Sequence, residues 1–342
     1  MTTHTESYTV EDYHTGGEPF RIVADHDLDL RGSTVAERRV HAMSSETVGR
    51  VRQLLCFEPR GHADMYGGFI TPPNDDGAHF GVLFWHKDGF STACGHGTIA
   101  LGVWAVDSGR VSAPDTGQTD VVIDVPSGRV TARVRTEQGR VVSVDFVNVP
   151  SYLLATSVPV NTSRGPLVVD VSYGGAIYAQ LDVSTVGLSI VPDQFGELIA
   201  LGREIKWALN EADVAKHPVD DRLSGIYGTI IFEELPGAGR DGELAQRNAT
   251  IFADGELDRS PCGSGTCARL ATLSAAGRLG DDDTLVHGSI VGSTFTARVM
   301  GREQVAGRDA VVPVVTGMAY RTGESRFTVD PRDPLVPGFT LR

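Results

Sequence analysis

Two stretches decide how this chain folds: Cys94-Gly95-His96-Gly97-Thr98-Ile99-Ala100 and Cys262-Gly263-Ser264-Gly265-Thr266-Cys267-Ala268. Both fit C-G-x-G-T-x-A. They lie 168 positions apart, about half of a 342-residue chain. Each opens an apolar run of helical spacing, residues 99–106 in one and 268–276 in the other. The interval is far longer than a solenoid repeat, so it reads as internal duplication. The sequence therefore predicts two similar halves, each holding a cysteine at the N-terminal end of a helix.

Working outward, residues 7–14 and 20–23 read as strands around the turn His14-Thr15-Gly16-Gly17-Glu18-Pro19. Residues 34–55 carry Val35, Val40, Met43, Val48, Val51, Leu54 and Leu55 near helical spacing, with Ser44 and Ser45 as a break. Strands follow at 64–70 and 79–85, separated by a Pro-Pro-Asn-Asp-Asp-Gly turn. Beyond the first motif, 121–125, 129–134 and 141–149 are strand-like, and Pro150 with Ser151-Tyr152 reads as a boundary. Segments 167–171, 176–181 and 187–190 continue the strand pattern, and 193–212 reads as a helix. Strands at 228–232 and 249–253 lead into the second motif, and β-patterning resumes after it. Strands, a helix, then strands again, twice over, predict α+β halves rather than a βαβ sheet.

A chain of this length suits two domains better than one core. The net charge of −14 opposes non-specific binding to nucleic acid or anionic membranes. No run approaches the ~18–20 apolar residues of a membrane span. Residues 1–13 are polar and acidic, so a cytoplasmic protein is expected. Cys56, Cys94, Cys262 and Cys267 are expected as free thiols. None of them pairs as C-x-x-C, and no ligand cluster accompanies them, so no metal is expected. Cys56 and Cys267 fall in apolar helical runs and read as packing residues.

A thiol at a helix N-terminus faces unpaired N–H groups and the positive end of the dipole. Both favour thiolate, so the pKa of Cys94 and of Cys262 is expected to fall. The same N–H groups cradle an anion, with Thr98 and Thr266 as possible hydroxyl donors. Two facing cysteines suit a reaction in which a thiolate removes a proton from one face of a carbon and a thiol returns one to the other. Such an inversion needs no cofactor. His96 reads as a partner for a thiol or a substrate amine, and Asp258 as a site for a cationic amine or a turn cap. His14, Glu18, Glu58, Arg60 and His62 gather in turns and read as loop-fixing residues.

The sequence resembles the proline racemase family, which includes 4-hydroxyproline 2-epimerases and trans-3-hydroxyproline dehydratases. The resemblance rests on Ala93-Cys94-Gly95-His96, where the family motif has Met before the cysteine, and on Asp258-Arg259-Ser260-Pro261-Cys262-Gly263-Ser264-Gly265-Thr266. It extends to His14–Pro19 of the first turn, Glu58-Pro59-Arg60-Gly61-His62, Tyr173-Gly174-Gly175 and Asp330-Pro331-Arg332-Asp333-Pro334. It implies an α+β, diaminopimelate-epimerase-like fold of two pseudo-symmetric α/β lobes with the site in the cleft between them. The lobes would be residues 1–150 plus 329–342, carrying Cys94, and 151–328, carrying Cys262. It further implies no cofactor, a homodimer, and a proline-type imino acid as substrate.

By matching position, the resemblance makes Cys94 and Cys262 the acid–base pair. Gly95, His96, Gly263 and Ser264 would hold the substrate carboxylate, and Asp258, with His96, the ring nitrogen. Tyr227 stands where hydroxyproline epimerases often carry a histidine near the ring hydroxyl. Two thiols favour inversion, as in a 4-hydroxyproline 2-epimerase or a proline racemase, with 4-hydroxyproline as the first substrate, because the dehydratases compared have threonine at the second position. Ala176, the segment from Arg60 to Gly67, and Ile226-Tyr227-Gly228-Thr229 look like dehydratase sequence and keep elimination from trans-3-hydroxy-L-proline as the alternative. A non-catalytic imino-acid binder or thiol redox sensor is the reading from another class.

Overall fold

The computed structural model describes residues 6–240 and 243–341. Its helices are α1 (Val35–Ser44), α2 (Glu46–Cys56), α3 (Gly95–Asp107), α4 (Phe195–Leu209) and α5 (Gly263–Ala275). The break predicted near Ser44 and Ser45 has a local cause. Ser45 leaves helical geometry and its Oγ accepts from Val48 N–H at 3.4 Å, starting α2. Thr34 and Glu37 form a reciprocal capping box at the start of α1.

Strands wrap the two motif helices. Around α3, hydrogen-bonded neighbours run in the order Ala319–Thr328, Ser7–Thr15, Glu18–Val23, Gly67–Thr71, Phe80–His86, Gly117–Val125, Gly128–Glu137 and Arg140–Val147. Around α5 the order is Ser151–Thr162, Gly165–Tyr173, Ile177–Asp182, Ile226–Glu234, Glu243–Phe252, Thr284–Ser289, Thr294–Val305 and Arg308–Gly317. The last of these pairs back onto Ser151 and Tyr152, closing the second ring. Its far end pairs with Arg140–Val147 and so joins the rings. Residues 95–105 of α3 and 263–273 of α5 are all buried. Neither helix has a solvent-facing side along these residues, as expected for helices enclosed on all sides; the polar Arg269 and Thr272 of α5 are bonded to Gln246, Gln180 and Ser172. The amphipathic helices α1, α2 and α4 lie outside the strands with one face buried.

Several boundaries differ from the sequence reading. Residues 187–190 form no strand: Asp182 accepts from Ser184 N–H at 2.9 Å, a 3-10 turn follows, and Gly187 adopts φ +66°. Ser151-Tyr152 begins the strand Ser151–Thr162, anchored by Tyr152, which stacks on Tyr173 and bonds His217. The fourth helix begins at Phe195 because Pro192–Gln194 form a 3-10 turn. At the other end of the chain, Ala319–Thr328 lies along Ser7–Thr15, Val329 N–H donates to Glu6, and Phe339 bridges to Glu58. No helix of the described residues is long and apolar enough to cross a membrane.

Candidate active site

The two motif helices meet end to end. A Cβ built on Gly95 would lie 2.5 Å from Gly263 Cα and 2.7 Å from the Ser264 nitrogen. One built on Gly263 would lie 2.6 Å from Gly95 Cα. Only glycine allows this approach, and the requirement is steric, since neither residue has a positive φ. Two positive helix ends in contact repel each other, and an anion seated against them offsets that repulsion. Cys94 and Cys262 stand on the two sides of this junction at 4 % and 5 % exposure.

Their neighbourhoods differ. Cys94 is extended, and its sulfur accepts from Gly97 N–H at 3.2 Å. The His96 ring nitrogens lie 3.6 and 3.7 Å from that sulfur. Burial depresses His96 to about 3, so the imidazole is neutral. Cys262 has φ +62°, left-handed backbone that costs a non-glycine residue about 1–2 kcal/mol, and its thiol interacts with the Gly265 N–H, the Asp258 carboxyl and the Tyr178 hydroxyl. Its loop is pinned by Ser260, which donates to Asp258 Oδ1 through N–H (2.8 Å) and Oγ (2.7 Å) and accepts from Cys262 N–H at 3.0 Å. Ser264 Oγ bonds Tyr178 Oη at 2.7 Å.

The expected fall in thiol pKa is overturned. Burial pushes both Cys94 and Cys262 well above the ordinary thiol value, and the nearby Asp258 carboxylate adds to the rise at each. The Gly97 N–H acts in the expected direction on Cys94 but is outweighed by desolvation. Helix ends were legible in sequence; the depth at which they sit was not. Asp258 itself rises to about 6, because burial outweighs its bonds from Ser260.

Gly95, His96, Asp258, Gly263 and Ser264 thus gather around the thiols. Thr98 and Thr266 do not offer free hydroxyls: Thr98 donates to Cys94 O at 2.7 Å and Thr266 to Pro261 O at 3.0 Å, holding the two loops. Tyr227 stands one step away. Its hydroxyl bonds Tyr66 Oη at 3.0 Å, and Tyr66 bonds Ser91 and sets its ring 5.0 Å from that of His96. Beyond them lies a cleft of about 440 Å³ lined in part by Arg39, Ser91, Ala176, Lys206, Tyr227 and Asp254. The thiols do not line it; the tyrosine pair stands between. Cys56 and Cys267 are buried packing residues.

Sequence reasoning missed Tyr66 and Tyr178 as members of the site and left Glu18 among the loop-fixing residues. Glu18 does fix a loop, since its Oε2 accepts from Arg259 N–H at 2.7 Å, but its carboxyl is also fully buried beside Asp258. Thr15 Oγ1 donates to His96 O at 2.9 Å. The His14–Pro19 turn therefore braces both cysteine loops. Tyr66 lies 28 positions before Cys94 and Tyr178 lies 84 before Cys262, so no local sequence signal pointed to either. His86, Asp88 and Glu256 also converge, with ligand atoms within 4.8 Å of one another. There the Lys87 ammonium supplies the positive charge, 2.6 Å from Asp88 and 3.9 Å from Glu256.

A mixed α+β, diaminopimelate-epimerase-like fold with paired helix ends in its centre defines the class. The proline racemase family model matches residues 10–340, and the chain belongs to that family. It is 43 % identical over 339 residues to a 3-hydroxyproline 2-epimerase of Burkholderia multivorans, covering 99 % of each chain. It is 42 % identical over 334 residues to a trans-3-hydroxy-L-proline dehydratase of Bacillus thuringiensis subsp. konkukian, covering 98 % of each. Among solved structures it resembles a hydroxyproline epimerase from Agrobacterium vitis with bound trans-4-hydroxy-L-proline. That match has a TM-score of 0.91 and 30 % identity over 98 % of this chain and 96 % of the other.

Proposed function

We propose that this protein epimerises a hydroxyproline at Cα through Cys94 and Cys262, with no cofactor. The observation that carries this reading is the pair of buried thiols flanking two abutting helix N-termini. The substrate carboxylate would sit on the Gly95, His96, Gly263 and Ser264 N–H groups. There it offsets the repulsion between the helix ends and loses charge density, which acidifies Cα–H. Asp258 would take the ring ammonium. That cation, arriving beside the thiols, counters the Asp258 charge that adds to the effect of burial and favours thiolate on one side. The thiolate takes the proton from one face and the opposite thiol returns one to the other face. The imidazole of His96, neutral and beside Cys94, orients that sulfur. Tyr227 with Tyr66 would read the ring hydroxyl.

The sequence alone favoured 4-hydroxyproline. The names of the relatives at 42–43 % identity turn the preference to 3-hydroxyproline. They also favour a second reading, elimination of water from trans-3-hydroxy-L-proline. The lobe division belongs to the same proposal, as residues 1–150 plus 329–342 and 151–328, with the pairing of Ala319–Thr328 on Ser7–Thr15 supporting an earlier return to the first lobe. So do a cytoplasmic location, expected from the polar first residues and the lack of a long apolar run, and a homodimer, carried over from the resemblance. The deciding experiment incubates the protein in D₂O with proline, cis- and trans-4-hydroxyproline and trans-3-hydroxyproline. Deuterium at Cα with inversion is expected for a hydroxyproline. Pyrroline-2-carboxylate as product establishes elimination instead, and no exchange with any substrate sinks the reading.

A further inference from the structure

Glu18 is a buried carboxyl that the mechanism above leaves unused. It is 0 % exposed and begins the strand Glu18–Val23. Strand alternation puts it on the same face as Phe20, whose ring lies 5.9 Å from the His96 ring, so this face looks onto the site. Its Oε2 is engaged by Arg259 N–H at 2.7 Å, while its Oε1 is buried without a hydrogen-bond partner. Burying a carboxyl oxygen without a partner is unfavourable, and a ligand donor can offset that cost. Across the junction, Asp258 spends Oδ1 on both Ser260 bonds. Oδ2 takes neither. The Asp258 carboxyl also bonds the Cys262 thiol, so of the two carboxyls it is Glu18, from the first half of the chain, that has an oxygen with no partner.

A protonated secondary amine in a five-membered ring has two N–H bonds on one nitrogen. We propose that Glu18 is a second substrate-binding carboxyl, which together with Asp258 receives the two N–H bonds of the ring ammonium. This rests on an imino acid being the substrate. The groups facing the pair are Arg259 and Asp64 on one side and Cys94 and Cys262 on the other. In the empty site burial, and then the Asp258 charge, push the Glu18 carboxyl well above its ordinary range and so favour its protonated form. Binding the ammonium then releases that proton to solvent, leaving two carboxylates around one cation with Arg259 beside them. The proton leaves from the Glu18 oxygen, no bond to carbon changes, and the charge is conserved by the proton in solution.

The test compares a ligand that has the ammonium with one that lacks it. Pyrrole-2-carboxylate is planar, keeps the carboxylate and carries one uncharged N–H. Mixing wild-type protein with hydroxyproline in weak buffer with an indicator dye should release about one proton per site before turnover. Pyrrole-2-carboxylate should release little or none. Glu18→Gln keeps an acceptor for Arg259 N–H. It should abolish the proton release and raise KM for hydroxyproline roughly 10- to 100-fold, with Ki for pyrrole-2-carboxylate changed less than about twofold. An unchanged KM in a variant that still exchanges Cα–H overturns the role of Glu18 alone. Should the variant fail to fold, the wild-type comparison decides, since equal proton release with both ligands overturns the proposal. Absence of Cα exchange in wild type removes the imino-acid reading and this proposal with it.

Discussion

The two cysteine loops share five of seven residues yet are built differently. Cys94 is extended, is capped by its own helix and faces a neutral imidazole. Cys262 is held left-handed, and it faces a carboxylate fixed by Ser260. Duplication supplied the helix ends; divergence of the flanking residues supplied two electrostatic settings. In the proposed reaction a pair that gives and takes a proton from opposite faces would have use for such a difference, because the two directions need not be equally fast. It also shows that a shared motif fixes backbone direction more firmly than it fixes side-chain chemistry.

The most damaging way to break the comparison is to remove one thiol at a time. Cys94→Ser and Cys262→Ser should each reduce inversion about 10²- to 10⁴-fold, measured as Cα deuterium incorporation with change of configuration. Equal residual rates in both reaction directions for both variants would argue that the loops are interchangeable. A Cys262→Thr variant that keeps full activity while releasing water from the substrate moves the protein to elimination.

Next in size is the junction itself. Gly95→Ala puts a methyl 2.5 Å from Gly263 Cα, where backbone and not a flexible side chain must yield. A destabilisation of about 1–3 kcal/mol, read as a lower melting temperature, is expected. Inversion should fall further than stability does, because the separation of the thiols changes. Wild-type melting with lost activity identifies the junction as catalytic geometry alone, and unchanged values for both contradict the observed contact.

The smallest effect sharpens the electrostatic contrast. Burial keeps both thiols protonated in the empty site, so alkylation by iodoacetamide at pH 8 should be at least about tenfold slower than for a free cysteine. Mass spectrometry can follow each site. Ligand-free labelling at the rate of a free thiol contradicts the enclosure described here. Asp258 titrates higher in the folded protein, near 6, than in the unfolded chain, whose ordinary value is 3.8. The folded state therefore binds more protons between these values, and the Asp258 contribution to stability falls as pH rises through that window. Asp258→Asn should flatten this part of the melting-temperature profile.

The repeat of C-G-x-G-T-x-A, the run of glycines and the spacing of apolar residues were enough to place two buried helices with cysteines at their starts. Those features are local: helix ends follow from caps and from glycine, and apolar periodicity follows from burial. Proximity in sequence also placed His96, Asp258 and Ser264 near the thiols. What the chain could not express locally came from contacts across 80 to 240 positions: Thr15 on the His96 carbonyl and Glu18 on the Arg259 amide. Closure of the second ring through Val311 and Ser151 is of the same kind. Depth of burial is likewise a property of the assembled rings. A helix end in water lowers a thiol pKa, whereas the same end enclosed by strands and two carboxyl groups raises it, because desolvation of the charged form outweighs one N–H bond.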